Sequence, residues 1–410
     1  MSAAQAMSLE LLISALPGEV RAALVEDDVL RDLLILRDAA PDDAAPPRAG
    51  DLFLARVGRT DKGLDAAFVD LGLARAGLLP RREAPEGLPP EGTALAVKVI
   101  RAPAAGKGAR VSARGLDLDP ARLQGLTAPA RLPGGQSGGP GGVAGALTAF
   151  CAAGNPGQVV CDDAALLGQV KTALEAVDCR FALHGAAGSL FEARGLEAEI
   201  EDLLSPRAEL PEGGSLLIEP GRTLTAIDVN AGRRDGRGGA AAQALEVNLA
   251  AVPAIARQLR LRALSGLIVV DFLAMKAPQD RKTVAAALRQ ALADDPEPCQ
   301  VFGMSPSGLL EMTRRRSRAP LHEVLCRPCG LAGSGREKTP ETLAYEALRQ
   351  VAAEARGRAL SEVVLRVAPA VAAALEGPQA AALAAVERRL GRAVAVVADP
   401  LVSGHELVLG

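Results

Sequence analysis

The chain has 410 residues and a formal net charge of −3, so it can bury two or more cores and is not basic overall. Apolar residues reach 49% and aromatics only 2%, which excludes a disordered chain and leaves Leu, Val, Ala and Ile to fill the cores. Nucleic-acid binding would have to rest on local basic patches. No stretch is long and apolar enough to span a bilayer, and the N-terminus lacks the basic segment of a secretory signal. Six scattered cysteines (Cys151, Cys161, Cys179, Cys299, Cys326, Cys329) argue against a disulfide framework and for a reducing cytoplasm.

Residues 8–36 alternate apolar segments with a Pro17-Gly18 turn and an acidic Glu26-Asp27-Asp28 turn, which predicts a short antiparallel meander. After a Pro-rich connection from Pro41 to Pro47, runs at Asp51–Val57, Asp65–Leu71, Ala94–Ile100 and Ala109–Ala113 lack a helical period. They suit a small Greek-key barrel of the oligonucleotide-binding kind. Residues 115–145 are turn-rich, and the glycine-rich run from Pro133 to Gly142 predicts a loop or linker. A strand at Gln158–Cys161, a helix at Ala164–Ala176 and an acidic helical stretch at Gly195–Leu204 follow. Ser215–Ile218, the Pro220-Gly221 turn and Thr223–Val229 predict a hairpin. Helix and strand then alternate: a helix within Ala240–Leu264, strand Leu267–Phe272, helix Gln279–Ala293, strand Gln300–Met304 and helix Ser307–Arg316. This predicts an α/β core whose sheet switches from antiparallel to parallel. Beyond Cys329, helix Glu341–Ala355, strand Glu362–Val367, two helical stretches and a strand near Ala393–Val397 predict a small separate α+β domain.

Two aspartates sit at or near the end of strongly apolar runs: Asp228 in Thr223-Leu-Thr-Ala-Ile-Asp-Val-Asn230, and Asp271 in Gly266-Leu-Ile-Val-Val-Asp-Phe-Leu-Ala-Met275. A carboxylate in a buried strand needs a partner or marks a functional rim, and two such ends in one α/β unit could hold one Mg²⁺. Asn230 can hydrogen-bond a carboxylate or a phosphate. The alternative is a pair of capping or loop aspartates. Arg257, Arg260 and Arg262 precede Asp271, and Arg314, Arg315, Arg316 and Arg318 follow it; they offer phosphate contacts or a solvated face. Cys326-Arg-Pro-Cys329 supplies half of a tetrahedral zinc site; His322 could add a third ligand, or a second chain could complete the set. In the barrel region, Phe68 offers a stacking platform for a base and Lys107 a phosphate contact, against a core role for Phe68. Three scattered histidines (His184, His322, His405) give no credible Ser-His-Asp arrangement.

Taken together, these segments resemble the RNase E/G family of bacterial endoribonucleases. The resemblance rests on Leu-Thr-Ala-Ile-Asp228-Val-Asn230, Ala256-Arg-Gln-Leu-Arg-Leu-Arg262, Gly266-Leu-Ile-Val-Val-Asp271-Phe, Gly308-Leu-Leu-Glu-Met-Thr-Arg314 and Cys326-x-Pro-Cys329. Upstream, Gly63-Leu-Asp-Ala-Ala-Phe68-Val-Asp-Leu-Gly72 and Gly106-Lys107-Gly108 resemble the family's S1 barrel. The resemblance implies an α/β and β multidomain chain. N-terminal strands at 1–48 would belong to an RNase H-like subdomain, followed by an inserted S1 (OB-fold) barrel at 49–115. Residues 116–210 would hold a reduced sensor region and the rest of the RNase H-like subdomain. A DNase I-like catalytic subdomain would span 211–325, a zinc link 326–334 and a small C-terminal domain 335–410. It implies single-stranded RNA cleavage by Mg²⁺-activated water, leaving 5′-phosphate and 3′-hydroxyl ends, in RNA turnover or rRNA processing. Asp228 and Asp271 match the metal-binding aspartates and Asn230 the assisting asparagine. Cys326 and Cys329 match a Zn²⁺ link shared between protomers, hence a homodimer or tetramer. Phe68, Lys107, Arg260, Arg262 and Arg314 are the expected RNA contacts.

Departures from the family pattern motivate a second expectation. No counterpart of its Val-Arg-Thr 5′-monophosphate sensor is found, and Leu78 stands where the barrel usually offers a second aromatic. Ala250 and Ala274 replace usually acidic residues, and Pro253 predicts a helix that is kinked or begins later. The alternative is therefore a catalytically weak RNA-binding or scaffold protein with the same fold.

Overall fold

The computed structural model describes residues 9–37, 47, 51–101, 103, 108–116, 123, 126–132, 142–151, 154–175, 177–185, 188–221, 223–232, 240–329, 335–354 and 362–409. Lys107 and residues 133–141 of the glycine-rich run lie outside them. Contacts divide the chain into two units: Met1–Glu10 with Ala23–Leu33 and Leu190–Thr342, and Leu11–Ala22 with Leu34–Ser189 and Leu343–Gly410.

The expected meander is present as β1 (Leu9–Leu16), β2 (Glu19–Glu26) and β3 (Val29–Arg37). Asp27 and Asp28, at φ +49° and +60°, make the tight second turn, a conformation that short acidic side chains tolerate. At the first turn Gly18 has φ +85°, a conformation that favours glycine, and a Cβ there would lie 2.3 Å from the Tyr345 hydroxyl.

The barrel is built from β4 (Leu52–Asp61), β5 (Ala66–Asp70), β6 (Gly77–Pro80), β7 (Ala94–Arg101) and β8 (Arg110–Ser112). It closes through the β4–β5 pairing, and β9 (Ala130–Arg131) adds to β4. Its interior holds Phe53, Val57, Val69, Leu79, Val97 and Val111. Four of the five barrel strands match the expected runs; β6 (Gly77–Pro80) has no counterpart among them.

Next come α1 (Gly142–Cys151), β10 (Gln158–Cys161), α2 (Ala164–Ala173) and β11 (Arg180–Leu183). The two strands extend the meander into a five-stranded sheet of order β11-β10-β1-β2-β3. Under this sheet Glu19 is fully buried and receives Arg37 at 2.7 Å, Arg21 at 2.9 Å and Arg349 at 3.0 Å. Burial raises its carboxyl, but the guanidinium groups of Arg21, Arg37 and Arg349 outweigh that and hold it well below the usual range.

The other unit carries α3 (Leu190–Ala193), α4 (Leu196–Leu204), β12 (Arg207–Glu209), β13 (Ser215–Pro220), β14 (Thr225–Asn230), α5 (Ala240–Leu261), β15 (Gly266–Asp271), α6 (Pro278–Ala291), β16 (Cys299–Met304) and β17 (Leu309–Arg314). Its sheet has the order β12-β13-β14-β15-β17-β16. Only β14 and β15 run parallel; β13 and β17 flank them antiparallel. The core packs α5 and α6 onto one face, through Val252, Ile255, Leu259, Val284 and Leu288 against Ile227, Val229, Ile268, Val270, Leu310 and Met312.

Two expectations change here. Residues 309–314 form a strand, not a helix: Leu310, Met312 and Arg314 are buried in alternation, so the period of two prevails over the helix-forming Leu, Glu and Met. And α5 is already thirteen residues long when it reaches Pro253, then continues to Leu261. Pro253 is exposed, so water can satisfy the carbonyl its missing N–H leaves open.

The chain continues through α7 (Leu321–Leu325) into the hairpin β18 (Cys326–Cys329) and β19 (Gly335–Lys338). The C-terminal segment holds α8 (Pro340–Glu354), β20 (Val363–Val367), α9 (Pro369–Glu376), α10 (Ala380–Leu390), β21 (Ala395–Ala398) and β22 (His405–Leu409). Its sheet, β21-β20-β22, has a core of Leu348, Val351, Leu365, Val371, Leu375 and Val386. Among the described residues no single helix is long and apolar enough to cross a membrane; the apolar pair α9 and α10 is bent by 79° and contributes to this core.

Candidate active site at a paired strand end

The parallel register of β14 and β15 pairs Asp228 with Asp271 at the last step of their shared ladder. Because Ile227, Val229, Ile268 and Val270 point to the helices, strand alternation puts both aspartates on the opposite, solvent side of the sheet. Adjacent strands lie about 4.8 Å apart, so the two side chains leave the sheet as neighbours. The site is at the carboxyl end of parallel strands, where open α/β sheets bind ligands. Asp228 is half-buried and Asp271 exposed.

Asn230, two residues along the same face, donates from Nδ2 to Asp228 Oδ2 at 2.9 Å. Its strand end is held by the Gly213-Gly214 turn. Gly214 has φ +97°, and a Cβ there would lie 2.5 Å from the Asn230 carbonyl oxygen, so only glycine permits this approach. Among the described residues neither Asp228 nor Asp271 enters a salt bridge, and no group of three or more His, Cys, Asp or Glu is placed to hold a metal. Two side-by-side carboxylates with no salt-bridge partner among the described residues fit a hard divalent ion that keeps most of its own waters.

The expected RNA-contacting arginines are elsewhere. Arg314 pairs with Gly266, at the opposite end of β15 from Asp271. Five residue-to-residue steps of strand separate the two ends, about 17 Å. Arg314 is 3% exposed, binds Asp295 at 2.8 Å and donates to the Leu264 carbonyl at 3.0 Å. Arg262 is also buried, donating to Gln258 and to the Ser205 carbonyl, and burial lowers its guanidinium to about 10. Arg260 donates to the Asp294 carbonyl at 3.2 Å. The structure therefore brings none of the three to the carboxylates. The cations that do follow Asp271 closely are Lys276, Arg281 and Lys282, all exposed, with Arg281 donating to the Met275 carbonyl at 2.8 Å. They form no cluster in sequence; their place just after a strand-end aspartate is the signal that marks them.

Cys326 and Cys329 occupy the two ends of β18, opposite Lys338 and Gly335. A Cβ at Gly335 would sit 3.1 Å from Cys329 Sγ, so the hairpin closes tightly beside that thiol. Burial pushes the thiols of Cys151 and Cys161 up to about 12, which leaves them protonated and poor ligands. His322, four residues before Cys326, is lowered to about 4 by burial and then by Arg336, Arg316 and Arg262.

In the barrel, Phe68 is half-buried, faces Leu78 across the β5–β6 pair, and carries the Arg59 guanidinium 5.0 Å over its ring. An aromatic face with a cation above it suits base stacking beside phosphate, with Leu78 as the weaker neighbour.

Against known proteins, the sequence model of the family described as "Ribonuclease E/G family" matches residues 148–317. Ribonuclease G of Salmonella typhimurium (strain SL1344) is 28% identical, with 96% of this chain and 98% of that protein aligned. Ribonuclease G of Escherichia coli (strain K12) has the same identity and coverage. Ribonuclease E of Escherichia coli (strain K12) is 36% identical over 225 residues, 54% of this chain and 21% of that protein.

Proposed function

This chain belongs to the ribonuclease E/G family, and from that premise we propose that it is an endoribonuclease hydrolysing single-stranded RNA at the Asp228–Asp271 strand end. The observation that carries the proposal is the direct register pairing of the two aspartates on the solvent side of the sheet. Asp228 and Asp271 would hold Mg²⁺, and Asn230 would fix the Asp228 carboxylate through its 2.9 Å bond. Bound there, Mg²⁺ supplies positive charge against the phosphoryl oxygens and acidifies a water for attack. Hydrolysis of the phosphodiester there would leave a 5′-phosphate and a 3′-hydroxyl. The barrel face at Phe68, Arg59 and Leu78 would stack RNA bases. The setting would be RNA turnover or rRNA processing in the cytoplasm.

The test is cleavage of an unstructured RNA oligonucleotide with Mg²⁺ and with a chelator, followed by end-group analysis. Cutting that persists under chelation, or that survives in both Asp228→Asn and Asp271→Asn, would overturn the proposal. Cys326 and Cys329 would supply half of a Zn²⁺ site completed by a second chain, giving a homodimer or tetramer. Native mass spectrometry should find one zinc per two chains; a zinc-loaded monomer contradicts the shared site. The second reading, a weak RNA-binding or scaffold protein, draws on Ala250 and Ala274, which put methyl groups where carboxylates could orient the ligands. RNA binding without any Mg²⁺-dependent product would favour it.

A further inference from the structure

Asn248 sits inside α5, in a helix interior and a protein core, two environments that disfavour asparagine. Its exposure is 0%. Its side-chain amide nonetheless meets a matched partner: Nδ2 donates to the Leu273 carbonyl at 2.9 Å, and Oδ1 accepts from the Leu273 N–H at 2.9 Å. One side chain thus engages both backbone groups of one residue, as a neighbouring strand would.

Leu273 is two residues past Asp271, where the chain has left the sheet. The ladder partners of β15, Asp228 on one side and Leu309 on the other, stop at Asp271 itself. Beyond them nothing in the sheet can fix the backbone, while Phe272 and Met275 are anchored in the core on either side. Without Asn248 the Leu273 amide and carbonyl would lose these bonds in a half-buried position and the segment would relax.

We propose that Asn248 is a positioning residue, a peptide-mimicking clamp on Leu273 that sets the direction in which Asp271 presents its carboxylate beside Asp228. The metal half of this inference rests on the proposed Mg²⁺ site. The clamp also bears on Ala250 and Ala274: it orients Asp271 through backbone, so the strand end does not depend on carboxylates at those two positions.

The test uses the full chain with Asn248→Leu, which keeps volume and removes both bonds, and with Asn248→Ser, a smaller and polar change. Amide hydrogen exchange reads the clamp without any metal. Exchange at 271–274 should accelerate by about 10-fold or more, as expected for two lost hydrogen bonds, while Ile227, Val229 and Ile268 stay protected. Mn²⁺ binding followed by electron paramagnetic resonance should weaken by a similar factor. In cleavage the half-saturating Mg²⁺ concentration should rise about 10-fold, with KM for RNA at saturating Mg²⁺ unchanged within about 2-fold. Unchanged local exchange in both variants overturns the clamp. Global loss of protection in both overturns it too, because Asn248 is then an ordinary core residue. Faster local exchange with unchanged Mn²⁺ affinity overturns the positioning role. Wild-type protein that binds no Mn²⁺ and cuts no RNA defeats the metal reading instead, and the exchange data then decide the clamp alone.

Discussion

Replacing Asp271 with Asn should stabilise the metal-free protein while abolishing cleavage. Asp228 and Asp271 start from paired positions on adjacent strands, with carboxylates on the same side and no salt bridge among the described residues. At about 4.8 Å in a water-like dielectric, their repulsion is about 1 kcal/mol, and the exposure of Asp271 keeps it near that low end. Removing one charge relieves it. For a unit of this size 1 kcal/mol moves Tm by about 2–4 °C, so metal-free Asp271→Asn should melt that much higher. Mg²⁺ should then invert the order: at ten times its Kd it adds about 1.4 kcal/mol to the wild type and little to the variant. Cleavage should fall about 1,000-fold or more. Thermal melts of both proteins in chelator and in a Mg²⁺ series, alongside oligonucleotide cleavage, measure every quantity. A variant less stable than wild type in chelator, or stabilised equally by Mg²⁺, would refute the paired-carboxylate argument even if activity were lost.

Glu19→Gln should cost about 3–5 kcal/mol, because it leaves the Arg21, Arg37 and Arg349 guanidinium groups buried without their shared carboxylate; urea unfolding measures this, and a loss under 1 kcal/mol would refute the assignment. His322 has a folded value of about 4 against 6.5 unfolded, so the unfolded chain takes the proton first and stability falls as pH drops from about 6.5 to about 4. The slope is at most about 1.4 kcal/mol per pH unit, less for partial exposure, and His322→Gln should flatten it in a pH series of denaturant midpoints. Leu78→Phe places a second aromatic opposite Phe68 and should lower KM for RNA by about 5-fold with kcat unchanged, as stacking of one base allows; an unchanged KM would take this barrel face out of the RNA path.

Much of the architecture was readable from short-range pattern. The meander, four barrel strands, the Gln158–Cys161 strand and the α5-β15-α6 alternation announce themselves through period and turn residues. Residues 309–314 did not, because Leu, Glu and Met suit a helix and only the partners β15 and β16 select the strand. The arginines show the same limit at the site. In sequence Arg260, Arg262 and Arg314 bracket Asp271; in space they collect at the far end of β15, where Arg262 and Arg314 bind internal acceptors. Asn248 shows the opposite limit: nothing local marks it, since its partner Leu273 is twenty-five residues away.

By itself the sequence determined the residue types and their order: apolar runs ending in Asp228 and Asp271, the half-site cysteines, and motifs that resemble one family. These are local properties, carried by side-chain chemistry and by the periods of helix and strand. Tertiary structure alone decided that β14 and β15 run parallel in a register matching Asp228 to Asp271, and that α5 delivers Asn248 to the strand end. Register and crossing depend on packing between distant segments, where a one-residue slip would turn either aspartate into the core, and no local pattern encodes that choice.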